Sequence, residues 1–334
     1  MSPLRELLEQ VCEGQFLNRD QAQQALHAMI DPSTAPELTG ALLGALRARQ
    51  ASATEIEGFA RGLRGHSLQV NIPGMSLDTC GTGGDGGNTF NVSTAVALLV
   101  ASLGVPVVKH GNRAVSSQSG SADVLEALGI SLQQSPESVQ AAVADHQFGF
   151  CFAPAFHPAM KAVAGIRRNL GVRTVFNLLG PLCNPAQVTH QILGVYDPAL
   201  TELMAQVLNH LGLKSALVVS SLDGLDELSL AGPTQVTELR NKTLRTYQIS
   251  PEDAGLCTQS LSGTEGGTPA DNALILQKIF QGETGPCRDL VLYNAAAALW
   301  IVDRVDNLSA GVDLAVQALD DGRVLDLIER LQTV

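Results

Sequence analysis

From residue 74 onward the chain alternates short apolar runs with helical segments, and this alternation admits few architectures. The runs PVVKHG, FGFCFAPA, QILGVYD and SALVVSSLDG are apolar or β-branched and are closed by Gly, Asp or Pro. Between them lie GSADVLEALG, SPESVQAAVADH and DPALTELMAQVLNHLG, which carry helical patterns. Strands without polar alternation are buried on both faces, and strands separated by helices form a mostly parallel sheet flanked by helices. Ligands of such sheets gather at the carboxyl ends of the strands.

Before residue 70 no strand pattern is found. Leu4, Leu7, Leu8 and Val11 fall at helical spacing behind Ser2 and Pro3, a cap and a first helical residue. Asn18 with Gln21, and Ser52 with Glu55, have capping-box spacing. The last part, from ADNALILQKIFQG to VLDLIERLQ, is again helical. The 334 residues correspond to roughly two domains at about 150 residues each. The expected fold is therefore α/β: a small all-helical domain over 1–70, joined by part of the 160–180 helical segment, and a larger α/β domain over 75–334.

Composition removes several function classes. The net charge is −12 without long basic runs, which argues against nucleic acid as a partner. Arg5 and Glu6 interrupt the first apolar pattern, and NAAAALWIV is too short to span a bilayer. Neither a signal peptide nor a membrane partner is expected, and the protein is placed in the cytoplasm. The six cysteines are scattered without a Cys-x-x-Cys pair, so they are expected to be reduced, buried thiols rather than zinc ligands.

The densest chemical signal is LDTCGTGGDGGNTFNVSTAVALLV, with Gly81, Gly83, Gly84, Gly86 and Gly87 inside seven residues. Glycine lets consecutive N–H groups converge on an anion, and a helix beginning just downstream adds free donors and partial positive charge. A phosphate or diphosphate is the guest that fits. Gly81, Gly83 and Gly86 also match the dinucleotide spacing. However, Gly87 to Thr94 intervene before the expected helix, and Lys109 ends the next strand where an acid would bind ribose. A P-loop is excluded because no Gly-Lys-Ser/Thr follows.

Three further elements accompany this loop. Lys109, His110 and Arg113 lie at a strand end before Ser116, Ser117, Ser119 and Ser121, forming a second anion cradle. Asp226 and Glu227 follow a buried strand, where hard carboxylate oxygens suit Mg²⁺ shared with substrate phosphates. Arg167 and Arg168 lie about three turns into a helix beginning near Pro158; the residues alone do not say which of them faces the cleft.

CGTGGDGGNTFNVST, VKHGNRAVSSQSGSADVLEALG, FAPAFHPAMKAVAGIRRNLGVRTVFNLLGPLCNPA and LDGLDELSLAGPTQV, in this order, closely resemble the anthranilate phosphoribosyltransferase family over essentially the full length. The resemblance implies transfer of phosphoribose from phosphoribosyl pyrophosphate to anthranilate, with release of pyrophosphate, in tryptophan biosynthesis. It also implies a fold shared with nucleoside phosphorylases, a homodimer joined through the helical part, and two Mg²⁺ ions per site. The matching phosphoribosyl-pyrophosphate contacts are Gly81, Gly84, Asp85, Thr89, Asn91, Val92, Ser93, Thr94, Lys109, His110, Gly111, Asn112, Arg113, Ala114, Val115, Ser116, Ser117 and Ser121. Ser93 with Glu227 matches one magnesium site, and Asp226 with Glu227 a second. Gly81, Asn112 and Arg167 match anthranilate contacts. Lys109 and Asp85 are the expected catalytic residues, whereas His110 is expected to support the backbone. Gln118 stands where many members carry lysine. A nucleoside phosphorylase and a nucleic-acid-binding relative of the same fold are the competing readings; the first has less use for Asp226 and Glu227, and the acidic balance weighs against the second.

Overall fold

The computed structural model describes residues 3–83, 89–114, 118–132 and 135–333. Four helices open the chain: α1 (Pro3–Cys12), α2 (Arg19–Ile30), α3 (Pro36–Arg49) and α4 (Ala53–Gly65). Both expected capping boxes form. Asn18 Oδ1 accepts from the Gln21 N–H at 2.9 Å, and Glu55 accepts from the Ser52 N–H at 2.8 Å. Glu55 is also buried and accepts from the Leu17 N–H at 2.9 Å, so one carboxylate ties the start of α4 to the turn before α2.

The α/β part then runs β1 (Leu77–Gly81), α5 (Val92–Ser102), β2 (Val107–Gly111), α6 (Ser121–Ala127), α7 (Pro136–His146), β3 (Phe148–Phe152) and α8 (Ala153–Phe156). It continues through α9 (Lys161–Leu170), α10 (Phe176–Leu179), β4 (His190–Gly194), α11 (Leu200–His210) and β5 (Ser215–Ser221). Two further strands, β6 (Thr234–Arg240) and β7 (Thr243–Ile249), precede the closing helices α12 (Pro269–Phe280), α13 (Pro286–Ile301), α14 (Leu308–Asp320) and α15 (Arg323–Leu331). None of these described helices is long and apolar enough to cross a membrane.

The sheet has the order β3-β2-β1-β4-β5-β6-β7. Strands β1 to β5 are parallel, whereas β6 and β7 are antiparallel additions at one edge. Alternation of side chains along each strand feeds two cores. Leu77, Val107, Ile192, Leu217 and Val219 point to α5 and the C-terminal helices. Leu193, Ala216 and Val218 point to the opposite layer, which Leu4, Leu26 and Phe59 of the first helices share. Val163, Val175, Phe176 and Leu179 also lie in this second core, so the segment around α9 and α10 packs with α1–α4.

Small residues bring the C-terminal helices α13 and α14 close to each other. Ala295–Ala298 of α13 are fully buried, and a Cβ on Gly311 of α14 would lie 2.8 Å from the Ala296 Cα.

Three local expectations are corrected. Helix α5 starts at Val92, two residues before the end of the stretch expected to separate it from the glycines. A 3₁₀ turn occupies Pro158–Met160, so Arg167 lies nearer two turns than three into α9. The cysteines are all unbridged, but Cys12 and Cys257 are exposed rather than buried.

Candidate active site

The carboxyl ends of β1 and β4 lie side by side, with Gly81 in register with Gly194. Both positions exclude a side chain. A Cβ on Gly81 would sit 2.3 Å from Asp226 Oδ2, and one on Gly194 would sit 1.6 Å from the Asp226 carbonyl oxygen. These glycines let the turn after β5 lie directly on the strand ends. The Gly83 N–H, at a positive φ of 63°, then donates to Asp226 Oδ2 at 2.9 Å. Asn294 of α13 holds the far side of this turn: its Oδ1 accepts from the Leu228 N–H at 2.9 Å and its Nδ2 donates to the Leu228 carbonyl at 2.9 Å. The backbone immediately after Glu227 is thereby clasped at two points.

Lys109 of β2 is only 2% exposed. Its ammonium donates to the Thr79 carbonyl of β1 and to Ser93 Oγ, in the first turn of α5, at 3.2 Å. An ammonium has three donors, and among the described residues the third has no partner. Burial lowers the Lys109 pKa, while Asp78, Cys80 and Glu227 favour its charged form.

Asp78, one strand away, is fully buried and accepts from Asn184 Nδ2 at 2.8 Å and from the His110 N–H at 3.3 Å. Burial raises its pKa to about 6 against the pull of Lys109. Asp78 is not among the residues expected at the site from the sequence. The available signal was an acid inside an apolar strand, which must find partners once it is buried.

The loop after β2 is shaped by packing against α6. A Cβ on Gly111 would lie 2.0 Å from Ser121 Oγ, and one on Gly120 would lie 2.5 Å from the backbone of 112–114. The Asn112 carbonyl accepts from the Ala122 N–H at 3.2 Å, and the Ala114 N–H donates to Asp123 Oδ2 at 2.8 Å. The exposed Arg113 guanidinium is turned to Asp123 and Glu126 of α6, at 3.0 and 2.5 Å. His110 Nδ1 lies 3.1 Å from the Gly180 carbonyl and the His110 ring packs against His157 at 5.0 Å, tilted by 59°, an arrangement that anchors backbone. Val92 and Thr94 are buried in α5, and Thr89 forms an isolated bridge with Glu265.

Arg167 is half-buried, with its guanidinium 5.3 Å above the Phe176 ring. No carboxylate among the described residues pairs with it; Arg168 is exposed. Gly84, Asp85, Val115, Ser116 and Ser117 lie outside the described residues. Among the described site residues, the structure therefore joins Gly81, Asp226, Ser93 and Lys109 at one sheet end and gathers Gly111, Asn112, Ala114 and Ser121 beside it. Arg113 is engaged by α6, and no hydrogen bond or ion pair links Arg167 to either group.

Both the helical and the α/β parts of the chain have relatives among known proteins. The helical bundle domain of a glycosyl transferase family matches residues 5–67, and that family's a/b domain matches residues 74–325. The anthranilate phosphoribosyltransferase of Symbiobacterium thermophilum is 48% identical over 330 residues, covering 98% of this chain and 97% of its own. The crystal structure of the Thermus thermophilus enzyme superposes with a TM-score of 0.93 at 40% identity, covering 100% of this chain and 99% of that one. The Saccharomyces cerevisiae enzyme in complex with phosphoribosyl pyrophosphate and magnesium superposes with a TM-score of 0.90 at 30% identity, covering 99% and 97%. This chain belongs to the anthranilate phosphoribosyltransferase family.

Within this phosphoribosyltransferase the His110–His157 pair carries a pH signature. Burial holds both rings neutral, with pKa values depressed from 6.5 to about 3 for His110 and about 4 for His157. A depressed group contributes stability above its unfolded pKa and loses it as pH falls toward the folded one. Asp78 acts oppositely: raised from 3.8 to about 6, its contribution is present below the lower value and lost as pH rises through the upper. Between pH 6.5 and 4 the two histidines outweigh the single carboxylate, so acidification destabilises the fold. In urea titrations at pH 6.5 and 4.5, His157→Phe should shrink that loss by roughly 1–3 kcal/mol. An unaltered difference would contradict the assignment.

Proposed function

We propose that this chain transfers the 5-phosphoribosyl group of phosphoribosyl pyrophosphate to the amine of anthranilate, giving N-(5-phosphoribosyl)anthranilate and pyrophosphate in tryptophan biosynthesis, with Mg²⁺ as cofactor. The observation that carries this reading is the meeting, at one sheet end, of a buried ammonium with a donor uncommitted among the described residues, the start of α5, and a carboxylate turn pressed onto Gly81 and Gly194. These are the parts that a departing diphosphate needs: cation, backbone amides and metal-binding oxygens.

The donor set fits magnesium. Ser93, Asp226 and Glu227 supply hard oxygens, and magnesium takes one or two carboxylates together with water and substrate phosphates. Ser93 with Glu227 would hold one ion and Asp226 with Glu227 a second, two per site. When bound, magnesium supplies charge neutralisation on the phosphate oxygens.

The chain's own residues do the rest. Gly81, Gly84, Asp85, Thr89 and Asn91 to Thr94 would receive the diphosphate, with Asp85 assisting Lys109 there. The loop from His110 to Ser117, with Ser121, would receive the remaining anionic and sugar groups. As the anomeric C–O bond breaks, its electron pair goes to pyrophosphate, and the third donor of Lys109 meets that growing charge. The aromatic amine is neutral near pH 7, so no side chain need remove a proton before the C–N bond forms; its surplus proton leaves afterwards. Arg167 would pair with the anthranilate carboxylate, with Asn112 and Gly81 holding the ring for attack at the opposite face.

The proposed division into a helical part, 1–70 with some of 160–180, and an α/β part, 75–334, is supported by the core that α1–α4 share with Val163, Val175 and Phe176. A cytoplasmic homodimer joined through the helical part completes the proposal.

Anthranilate fluorescence tests the reading directly. Addition of phosphoribosyl pyrophosphate should deplete the signal only when Mg²⁺ is present, and Glu227→Gln should slow this depletion at least tenfold at ordinary magnesium levels. Depletion without magnesium, or a near-normal rate in the variant, would count against the metal assignment. Arg167→Ala should raise the anthranilate KM with little change in that for phosphoribosyl pyrophosphate. An unchanged anthranilate KM would remove Arg167 from the site.

A further inference from the structure

The segment before α12 is fastened to the exit of the glycine loop. The Phe90 N–H donates to the Thr264 carbonyl at 3.1 Å, and a Cβ on Gly266 would lie 2.8 Å from the Thr89 carbonyl oxygen. Asn272, in the first turn of α12 and 3% exposed, completes this junction. Its Oδ1 accepts from the Gly267 N–H at 2.7 Å, and its Nδ2 donates to Asn91 Oδ1 at 2.8 Å. The Asn91 amide is otherwise occupied by Ser119: its Oδ1 accepts from Ser119 Oγ at 3.1 Å and its Nδ2 donates to the Ser119 carbonyl at 3.2 Å.

Asn91 occupies the N-cap of α5, yet its side chain makes no capping hydrogen bond to that helix. Asparagine is among the best N-caps because its oxygen normally accepts from the second or third helical N–H. Here two donors from outside the helix, Asn272 Nδ2 and Ser119 Oγ, hold that oxygen. The Val92 N–H donates to the Phe90 carbonyl at 2.7 Å and the Thr94 N–H to the Asn91 carbonyl at 3.1 Å, so among the described residues the Ser93 N–H, one that a capping Asn91 oxygen would take, is the first-turn donor left for an anion.

We propose that Asn272 is a positioning residue for phosphoribosyl pyrophosphate: by holding the Asn91 amide crosswise, it stops Asn91 from capping α5 and leaves the helix start open to the diphosphate. The proposal rests on the reading that the diphosphate binds at this loop.

The test compares Asn272→Asp and Asn272→Ala with the unmodified enzyme in magnesium-containing assays, alongside thermal unfolding. Asn272→Asp keeps the acceptor for Gly267 but turns an oxygen toward Asn91 Oδ1, which breaks the hold that Asn272 shares with Ser119 and lets the Asn91 oxygen turn toward the start of α5. Asn272→Ala removes the same contact by deletion, leaving Ser119 alone on the Asn91 amide, and guards against misfolding of the charged variant. Both should raise the KM for phosphoribosyl pyrophosphate about tenfold, with the anthranilate KM within about twofold. An unchanged phosphoribosyl-pyrophosphate KM in a folded variant would overturn the role of Asn272, as would equal losses for both substrates. Failure of the unmodified enzyme to saturate with phosphoribosyl pyrophosphate would instead overturn the functional reading beneath it.

Discussion

The buried ammonium of Lys109 is the constraint on which the site depends. A charge removed from water is tolerated only when it is paired and hydrogen-bonded. The Thr79 carbonyl on β1 and the Ser93 hydroxyl at the start of α5 meet that demand, and Asp78 supplies a counter-charge from the same strand as Thr79. One side chain thus fixes β1, β2 and α5 relative to one another. Asp78 in turn reaches Asn184 and the His110 N–H, which extends the arrangement to the loop that follows β2.

Absent side chains matter as much as those present. Gly81 and Gly194 admit the Asp226 turn to a distance that any Cβ would prevent, and Gly111 and Gly120 do the same for the loop against α6. Such close approach brings carboxylates and backbone amides within one ligand's reach, but the turn needs support from behind. Asn294 provides it by pairing with both backbone groups of Leu228. Asn272 serves the other side of the site through Asn91. The C-terminal helices, which carry none of the expected contact residues, therefore brace the loops that do.

Much of this was legible in the chain. Strand–helix alternation gave the parallel sheet, two capping boxes appeared at Asn18 and Ser52, and the glycine cluster marked the loop at the sheet end. The features that escaped share a physical reason. Asp78, Asn272 and Asn294 are single polar residues whose meaning comes from partners made adjacent only by folding; Asp78 had only its place in an apolar strand to mark it, and no local pattern separates the two asparagines from surface polar residues. The β6–β7 hairpin was missed because Asn241 and Lys242 both adopt positive φ without the glycine that usually signals such a turn. Helix α5 begins earlier than expected because Asn91, bonded across the site, marks its start without the usual side-chain cap.

The central claim is that Lys109 is buried to meet the diphosphate and not merely to join strands. Calorimetric titration of Lys109→Met with phosphoribosyl pyrophosphate and Mg²⁺ tests this most directly, because methionine fills the same volume without charge. With far-UV dichroism unchanged, affinity should fall about tenfold to a hundredfold, the range expected for loss of a charged hydrogen bond. Undiminished affinity in the folded variant would contradict the account.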